Sequence, residues 1–197
     1  MKREITIGAV VMEAKIKDIK ESNLKDIPEI CRRCLYWSFP EEFERTKKEP
    51  SKYKTELEAK KKQWILQTLE EFGTCGKILY YDNVPVGYAE YGPSNRFPNI
   101  EEYPSQPVGK IEEGVVFLSC LVIVDENLRG KGLGEKLLNS VIEDLKKRGF
   151  KAVETYARRG SPNNSSGPVE FYLKRGFHIK DETNPEFPIV RLNLSKF

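Results

Sequence analysis

Arg129-Gly130-Lys131-Gly132-Leu133-Gly134 joins an apolar run, Val115 to Val124, to a stretch in which Leu133, Leu137, Leu138, Val141, Ile142 and Leu145 fall on one face of a helix. A run that is apolar at nearly every position reads as a central strand covered on both faces. Glycines at such a junction let the backbone turn so that N–H groups at the helix start converge on one concavity. Those donors, together with the helix dipole, bind a phosphate or pyrophosphate. A tight turn alone would need one glycine, so the segment points to a phosphorylated ligand.

Two common phosphate motifs do not fit. The P-loop requires G-x-x-x-x-G-K-[ST], which is absent from the chain. A dinucleotide fingerprint requires G-x-G-x-x-G, whereas here the third glycine comes one residue early and Glu135 stands in its place. Glu154 imitates the ribose-binding acid of that fingerprint, but too little chain follows for a doubly wound sheet.

Working outward, the N-terminal half alternates from Met12 to Ile19, which predicts a strand. Asp26 is placed to cap a short helix with Pro28 in its first turn and Ile27, Ile30, Cys31 and Cys34 on one face. Tyr36-Trp37-Ser38-Phe39-Pro40 ends that helix, as a core anchor or as the wall of a pocket. Charged residues 41 to 52 lead into a longer helix carrying Tyr53, Leu57, Trp64, Ile65, Leu69 and Phe72, stopped by Gly73 and Gly76. Lys77 to Tyr81 and Val86 to Tyr91, joined by Asp82-Asn83-Val84-Pro85, predict an antiparallel hairpin. Residues 93 to 110 contain four prolines and form a long loop, either a binding element or an insertion.

Downstream, the helix after Gly132 closes with Lys146-Lys147-Arg148 before Gly149, which suits the negative end of its dipole. Lys151 to Tyr156 predicts a strand, Pro168 to Arg175 a short helix, and Phe177 to Lys180 and Ile189 to Leu194 two further strands. No internal repeat or linker divides the chain, so residues 1–197 are read as one α+β domain.

Composition excludes several classes of partner. The 33 basic and 30 acidic residues leave a net charge of only +3, spread along the helices and not gathered in a stripe, so no nucleic-acid partner is expected. The longest apolar run is about half of the roughly 20 residues needed to cross a bilayer. The opening Met-Lys-Arg-Glu-Ile-Thr-Ile has no sustained apolar stretch, so a cytoplasmic protein without membrane contact is expected. Cys31 and Cys34 form a single C-x-x-C with no second pair and no suitably spaced histidine. Tetrahedral zinc would lack half its ligands, so these thiols are read as packing and no metal is expected. His178 is read as structural, since no nucleophile motif pairs with it.

The glycine junction resembles the acyl-CoA-binding signature of the GNAT acetyltransferase superfamily, [RQ]-x-x-G-x-[GA], through Arg129, Gly132 and Gly134. Leu118 to Asp125 is similar to that family's fourth strand, and Phe171-Tyr172-Leu173-Lys174-Arg175-Gly176-Phe177 to its F-Y-x-x-x-G-F segment. Together these cover about residues 112 to 180, while the N-terminal half agrees in its order of elements.

The resemblance implies a mixed, mostly antiparallel central sheet flanked by helices and splayed between its fourth and fifth strands. Acetyl-CoA would lie in the cleft as co-substrate, with no metal. Backbone N–H groups of Gly130, Lys131, Gly132, Leu133 and Gly134, beside Arg129, would hold the pyrophosphate, and the backbone of Leu121, Val122, Ile123 and Val124 would pair with the pantetheine arm. Lys131, Lys136, Arg158 and Arg159 could meet the remaining phosphate. Asn164, in a segment that departs from the usual N-x-x-A, would contact the coenzyme.

The implied reaction is direct attack of a primary amine on the thioester in a ternary complex. Tyr172 would protonate the leaving thiolate, an N–H near Cys120 to Val122 would hold the oxyanion, and Glu90 or Glu113 would act as base through water. Tyr36, Trp37, Glu90, Tyr91 and the 93–110 loop would line the pocket for a small-molecule or peptide amine, and a homodimer would be in keeping with the family. The alternative is a catalytically silent acyl-CoA-binding sensor or regulatory module.

Overall fold

The protein's computed structural model describes residues 13–101, 112–160 and 167–194. Strands β1 (Ala14–Asp18), β2 (Gly76–Tyr81), β3 (Val84–Gly92), β4 (Val115–Ile123), β5 (Ala152–Tyr156), β6 (His178–Asp181) and β7 (Ile189–Asn193) form one sheet in the order β1-β2-β3-β4-β5-β7-β6. Every neighbouring pair is antiparallel except β4 and β5. The helices are α1 (Glu29–Arg32), α2 (Pro40–Thr46), α3 (Lys54–Phe72), α4 (Leu133–Lys147) and α5 (Val169–Leu173). This is the mixed, mostly antiparallel sheet expected from the sequence.

Side chains alternate across a strand, so each face of the sheet builds its own core. On one face, Leu137, Leu138, Val141 and Leu145 of α4 and Tyr172 of α5 pack against Leu79, Ala89, Val116 and Val153. On the other, Trp64 and Ile65 of α3 and Trp37 pack against Ile78, Tyr80, Tyr88, Phe117 and Tyr156. Full burial of one Leu or Ile contributes roughly 2 kcal/mol, which explains why the apolar stripe of α4 was so readable. The buried face of α3 also contains Lys61, where the helical pattern would call for an apolar residue.

Three local readings change. Asp26 does not cap a helix; its carboxylate accepts a hydrogen bond from the Tyr80 hydroxyl at 2.8 Å. A residue before proline is pushed out of the helical region, and Ile27 and Pro28 are accordingly extended between a 3₁₀ turn at Glu21–Asp26 and α1. Cys34 therefore lies beyond α1, not on its face. The charged lead-in holds a helix of its own, α2, started by Pro40 with Glu41 and Glu42 in its first turn.

In the hairpin, Asp82 (φ 54°) and Asn83 (φ 65°) alone make the turn, as the primed two-residue type requires. β3 then starts at Val84, two residues earlier than predicted. Pro85 is tolerated because the pairing shifts register between Leu79 and Tyr80, where the ladder is already irregular.

Two irregularities of β4 position the site. Its parallel pairing with β5 covers only Val115, Val116 and Phe117, against Ala152, Val153 and Glu154. Its pairing with β3 skips a residue: Glu90 faces Cys120 while Tyr91 faces Leu118, which leaves Ser119 as a bulge.

Candidate functional site

Beyond Phe117, β4 keeps β3 as a partner as far as Ile123 but has lost β5. Its far edge is open, and unpaired strand groups are a ready template for an extended partner. A cleft of about 390 Å³ lies along this edge, lined by Leu121, Val122, Ile123, Arg129, Gly130, Gly132, Gly134, Gly167, Pro168 and Phe171 among others. The strand segment and the glycine junction, read separately in the sequence, thus form one groove.

Gly132 caps α4 in the left-handed region (φ 78°), and Gly130 is left-handed too (φ 74°). Only glycine takes such angles without strain. The Lys136 N–H bonds the Gly132 carbonyl at 3.0 Å, so the N–H groups of the first turn before it have no partner within the helix. A side chain at Gly130 or Gly132 would meet nothing within 4 Å, so open space borders the junction. Donors, dipole and space are what an anionic group requires.

Arg129 lines the cleft with a partly structural role. Its Nε donates to the Ile123 carbonyl and its guanidinium pairs with Glu126, each at 3.0 Å, tying the end of β4 to the junction. Lys131 and Lys136 are exposed at the junction. Arg158 and Arg159 are engaged elsewhere, with Glu186 at 3.0 Å and Glu182 at 2.9 Å. Sequence reading missed Arg175, which borders the cleft, lies over the Phe171 ring at 3.9 Å and pairs with Glu135 at 2.7 Å. Its place beside the aromatic of the F-Y-x-x-x-G-F segment was the available signal. Asn164 lies outside the described residues.

Tyr172 is fully buried, and its hydroxyl has no hydrogen-bond partner among the described residues. An orphaned buried donor is costly, and this one lies against Gly167 at the cleft wall. Burial holds the phenol well above its ordinary pKa; a side-chain hydrogen-bonding contact with Thr155, too loose to count as a well-formed bond, opposes this and the Cys120 thiol adds to it. The group is therefore a protonated donor near the β4 bulge. These features fit an acyl-CoA: an anion cradle, an open strand edge and a buried hydroxyl with no well-formed hydrogen bond among the described residues.

The expected acceptor residues do not gather in one place. Tyr91 is buried on the α4 face, where its hydroxyl donates to Asp144 at 2.9 Å. Glu90 belongs to the α3 face, so alternation along β3 keeps these two from lining one pocket. Glu113 sits just before β4, at the end where β4 and β5 are closed, with its carbonyl bonded to Lys151 at 3.2 Å. Four residues of β4, Val115 to Leu118, separate that end from the bulge. Trp37 is buried, stacked on Tyr156 at 6.0 Å and edge-on to Phe117 at 5.1 Å, so it is a core anchor. Tyr36 is half-buried beside it and packs edge-on against Trp37 and Phe43. The first part of the 93–110 loop is also core: Phe97 is buried between Trp64 and Phe117, and the Trp64 indole donates to the Arg96 carbonyl at 3.0 Å. Residues 102–111 lie outside the described residues.

Glu90 is 2% exposed and Lys61 3%. Its Oε2 accepts from the Lys61 ammonium and the Tyr88 hydroxyl, each at 2.5 Å, and its Oε1 accepts from Ser119 at 3.1 Å. Neither this carboxylate nor any of its three donors lines the cleft, so it is engaged within the core. Among the described residues, no group of His, Cys, Asp or Glu is placed to hold a metal, and no helix is long and apolar enough to cross a membrane.

Comparison with known proteins agrees with this geometry. The chain is 32% identical over 120 residues to an uncharacterized N-acetyltransferase of Methanocaldococcus jannaschii; the match covers 60% of this chain and 44% of that protein. An N-acetyltransferase of Staphylococcus aureus Mu50 has the same fold, with a TM-score of 0.58 and 16% identity over 93% of this chain and 99% of its own. The PaiA N-acetyltransferase of Thermoplasma acidophilum, solved with coenzyme A, gives a TM-score of 0.55 at 18% identity over 92% of this chain and 99% of its own. The family pattern of the GNAT acetyltransferases matches residues 29–177. With that match across most of its length, a seven-stranded sheet that parts between β4 and β5, and the glycine junction at the head of α4, the chain belongs to the GNAT acetyltransferase family.

Proposed function

We propose that the protein is an N-acetyltransferase that moves the acetyl group of acetyl-CoA to a primary amine of a small molecule or peptide, within a ternary complex. The observation that carries this reading is the buried Tyr172 hydroxyl, which has no well-formed hydrogen bond among the described residues and lies against Gly167 of the cleft wall. Acetyl-CoA would supply the acyl group as an activated thioester.

The protein's own part is binding, orientation and one proton. Backbone N–H groups from Gly130 to Gly134 would hold the pyrophosphate, and the β4 edge at Leu121, Val122 and Ile123 would align the pantetheine arm, with the Ile123 carbonyl already held by Arg129. Val124 is less available, because its N–H already bonds the Val86 carbonyl at 2.9 Å. An N–H at the bulge, near Cys120, would stabilise the oxyanion. As the new C–N bond forms and the C–S bond breaks, Tyr172, kept protonated by burial, donates its proton to the departing sulfur. Both reactants in one groove are favoured by orientation alone.

The donors around Glu90 and the location of Glu113 argue against either as base. The amine would then enter neutral, having lost one proton to water, and the N–H proton it sheds on becoming the amide would replace the one Tyr172 gives to sulfur. Calorimetric titration with acetyl-CoA, followed by transfer assays over an amine panel, tests the proposal. Selective binding with transfer supports it. Binding without transfer to any amine would favour a silent acyl-CoA sensor, and no binding would reject both.

A further inference from the structure

The buried Lys61–Glu90 pair has no part in the chemistry above, yet burying two charges costs several kcal/mol per ion before their attraction is counted. Lys61 extends from the middle of α3 with its ammonium 4.6 Å from the Trp64 ring centroid. Glu90 lies near the end of β3, opposite Cys120. The third member, Ser119, is the bulged residue of β4. Its hydroxyl lies 3.1 Å from both the backbone carbonyl and Oε1 of Glu90. The bulge thus leans on a carboxylate that is itself fixed by Lys61 and Tyr88.

We propose that Lys61, Glu90 and Ser119 form a buried strut that sets the position of the β4 bulge, with Glu90 a positioning residue and not a base. This rests on the reading of the adjacent cleft as the site of acetyl transfer. The residue after Ser119 is Cys120, where an oxyanion donor is needed, and Tyr172 lies on the opposite face of the same strand. A side chain that aims the bulge therefore aims the donor relative to the acid. Four cysteines, Cys31, Cys34, Cys75 and Cys120, are close enough to feel the charge of Glu90, and burial raises each thiol above its ordinary pKa. They form a neutral surround, so the strut gains little screening from water and its geometry is held tightly.

The test compares Ser119→Ala and Ser119→Thr with wild type, using amide hydrogen exchange at residues 119–121 and steady-state kinetics. Ser119→Ala should speed exchange at those amides and lower kcat by roughly 10- to 100-fold, since small misplacements cost that much. Coenzyme affinity and the pH midpoints of kcat/KM should not change. Ser119→Thr, which keeps the hydroxyl, should restore most of kcat. Wild-type exchange and wild-type kcat in Ser119→Ala would overturn the strut. Loss of the acid limb of the pH profile in Glu90→Gln, with Ser119→Ala normal, would instead make Glu90 the base. If the wild-type protein transfers to no amine, the functional reading fails, and the exchange experiment alone decides the strut.

Discussion

Gly167 lies against Tyr172: a Cβ built at Gly167 would stand 3.2 Å from the phenol ring and 3.3 Å from its hydroxyl. Gly167 is also left-handed, with φ 75°. Gly167→Ala should therefore lower stability by about 1 kcal/mol through backbone strain and shift the tyrosine. We expect kcat to fall while coenzyme affinity changes little, measured by thermal melting and calorimetry on the same preparation. An unchanged kcat would mean that the hydroxyl has no need of its position.

Tyr172→Phe removes one hydroxyl that makes no well-formed hydrogen bond among the described residues, so the fold should lose little. Turnover should drop by about 100-fold, the usual scale of general acid catalysis. Burial raises the phenol's pKa, so the wild-type acid stays protonated as pH rises and kcat should not decline between about pH 8 and 10. Steady-state rates of both proteins over that range check the claim. A decline centred below pH 9 in the wild type would assign the acid to another group.

Replacing Gly132 by Val forces a β-branched residue into the left-handed cap of α4. Coenzyme affinity should weaken by at least 10-fold, with a smaller loss of melting temperature. Calorimetry that returned the wild-type dissociation constant with α4 intact would remove the junction from the binding site.

Lys61→Met leaves the Glu90 charge buried without its ammonium and should cost about 3–5 kcal/mol, whereas Lys61→Met with Glu90→Met should cost much less. Burial opposes the charge of Lys61, but the Glu90 carboxylate outweighs it, and the net effect raises the lysine above its ordinary pKa. A raised folded-state value contributes stability that is complete below the unfolded pKa of about 10.4 and is lost as pH climbs through the folded value. Urea melts at pH 8 should rank wild type, double variant and single variant in that order. The gap between wild type and double variant should narrow only above about pH 10.5.

Phe97→Ala should cost about 3–5 kcal/mol, because the ring is buried between Trp64 and Phe117. A loss below 1 kcal/mol in denaturant melts would return residues 93–101 to the status of a loose loop.

Much of this architecture was legible because periodicity and special residues acted locally. The stripe of α4, the glycines around it, the hairpin and the unbroken apolar run of β4 each declared themselves within a short window. The Asp26 cap failed because its carboxylate had a better partner 54 positions away in Tyr80. Lys61 carried no signal, since a lysine on a charged helix reads as solvated until Glu90 is known to lie under it. Glu90 and Tyr91 were grouped because they are adjacent in sequence, although alternation sends neighbours in a strand to opposite faces. The bulge at Ser119 comes from register between two strands, a relation that no single segment contains.

The three-residue union of β4 with β5 also works mechanically. The strands β1–β4 and β5–β7 are two plates hinged at Val115–Phe117, and the six residues of β4 from Leu118 to Ile123 make a lever about 20 Å long. One degree of tilt at that hinge moves the far lip by about 0.35 Å, so a rotation of about 5° would change its width by nearly 2 Å. Packing that resists such a tilt, above all Trp37 lodged against both Phe117 and Tyr156, sets the gauge of the groove from the face opposite α4.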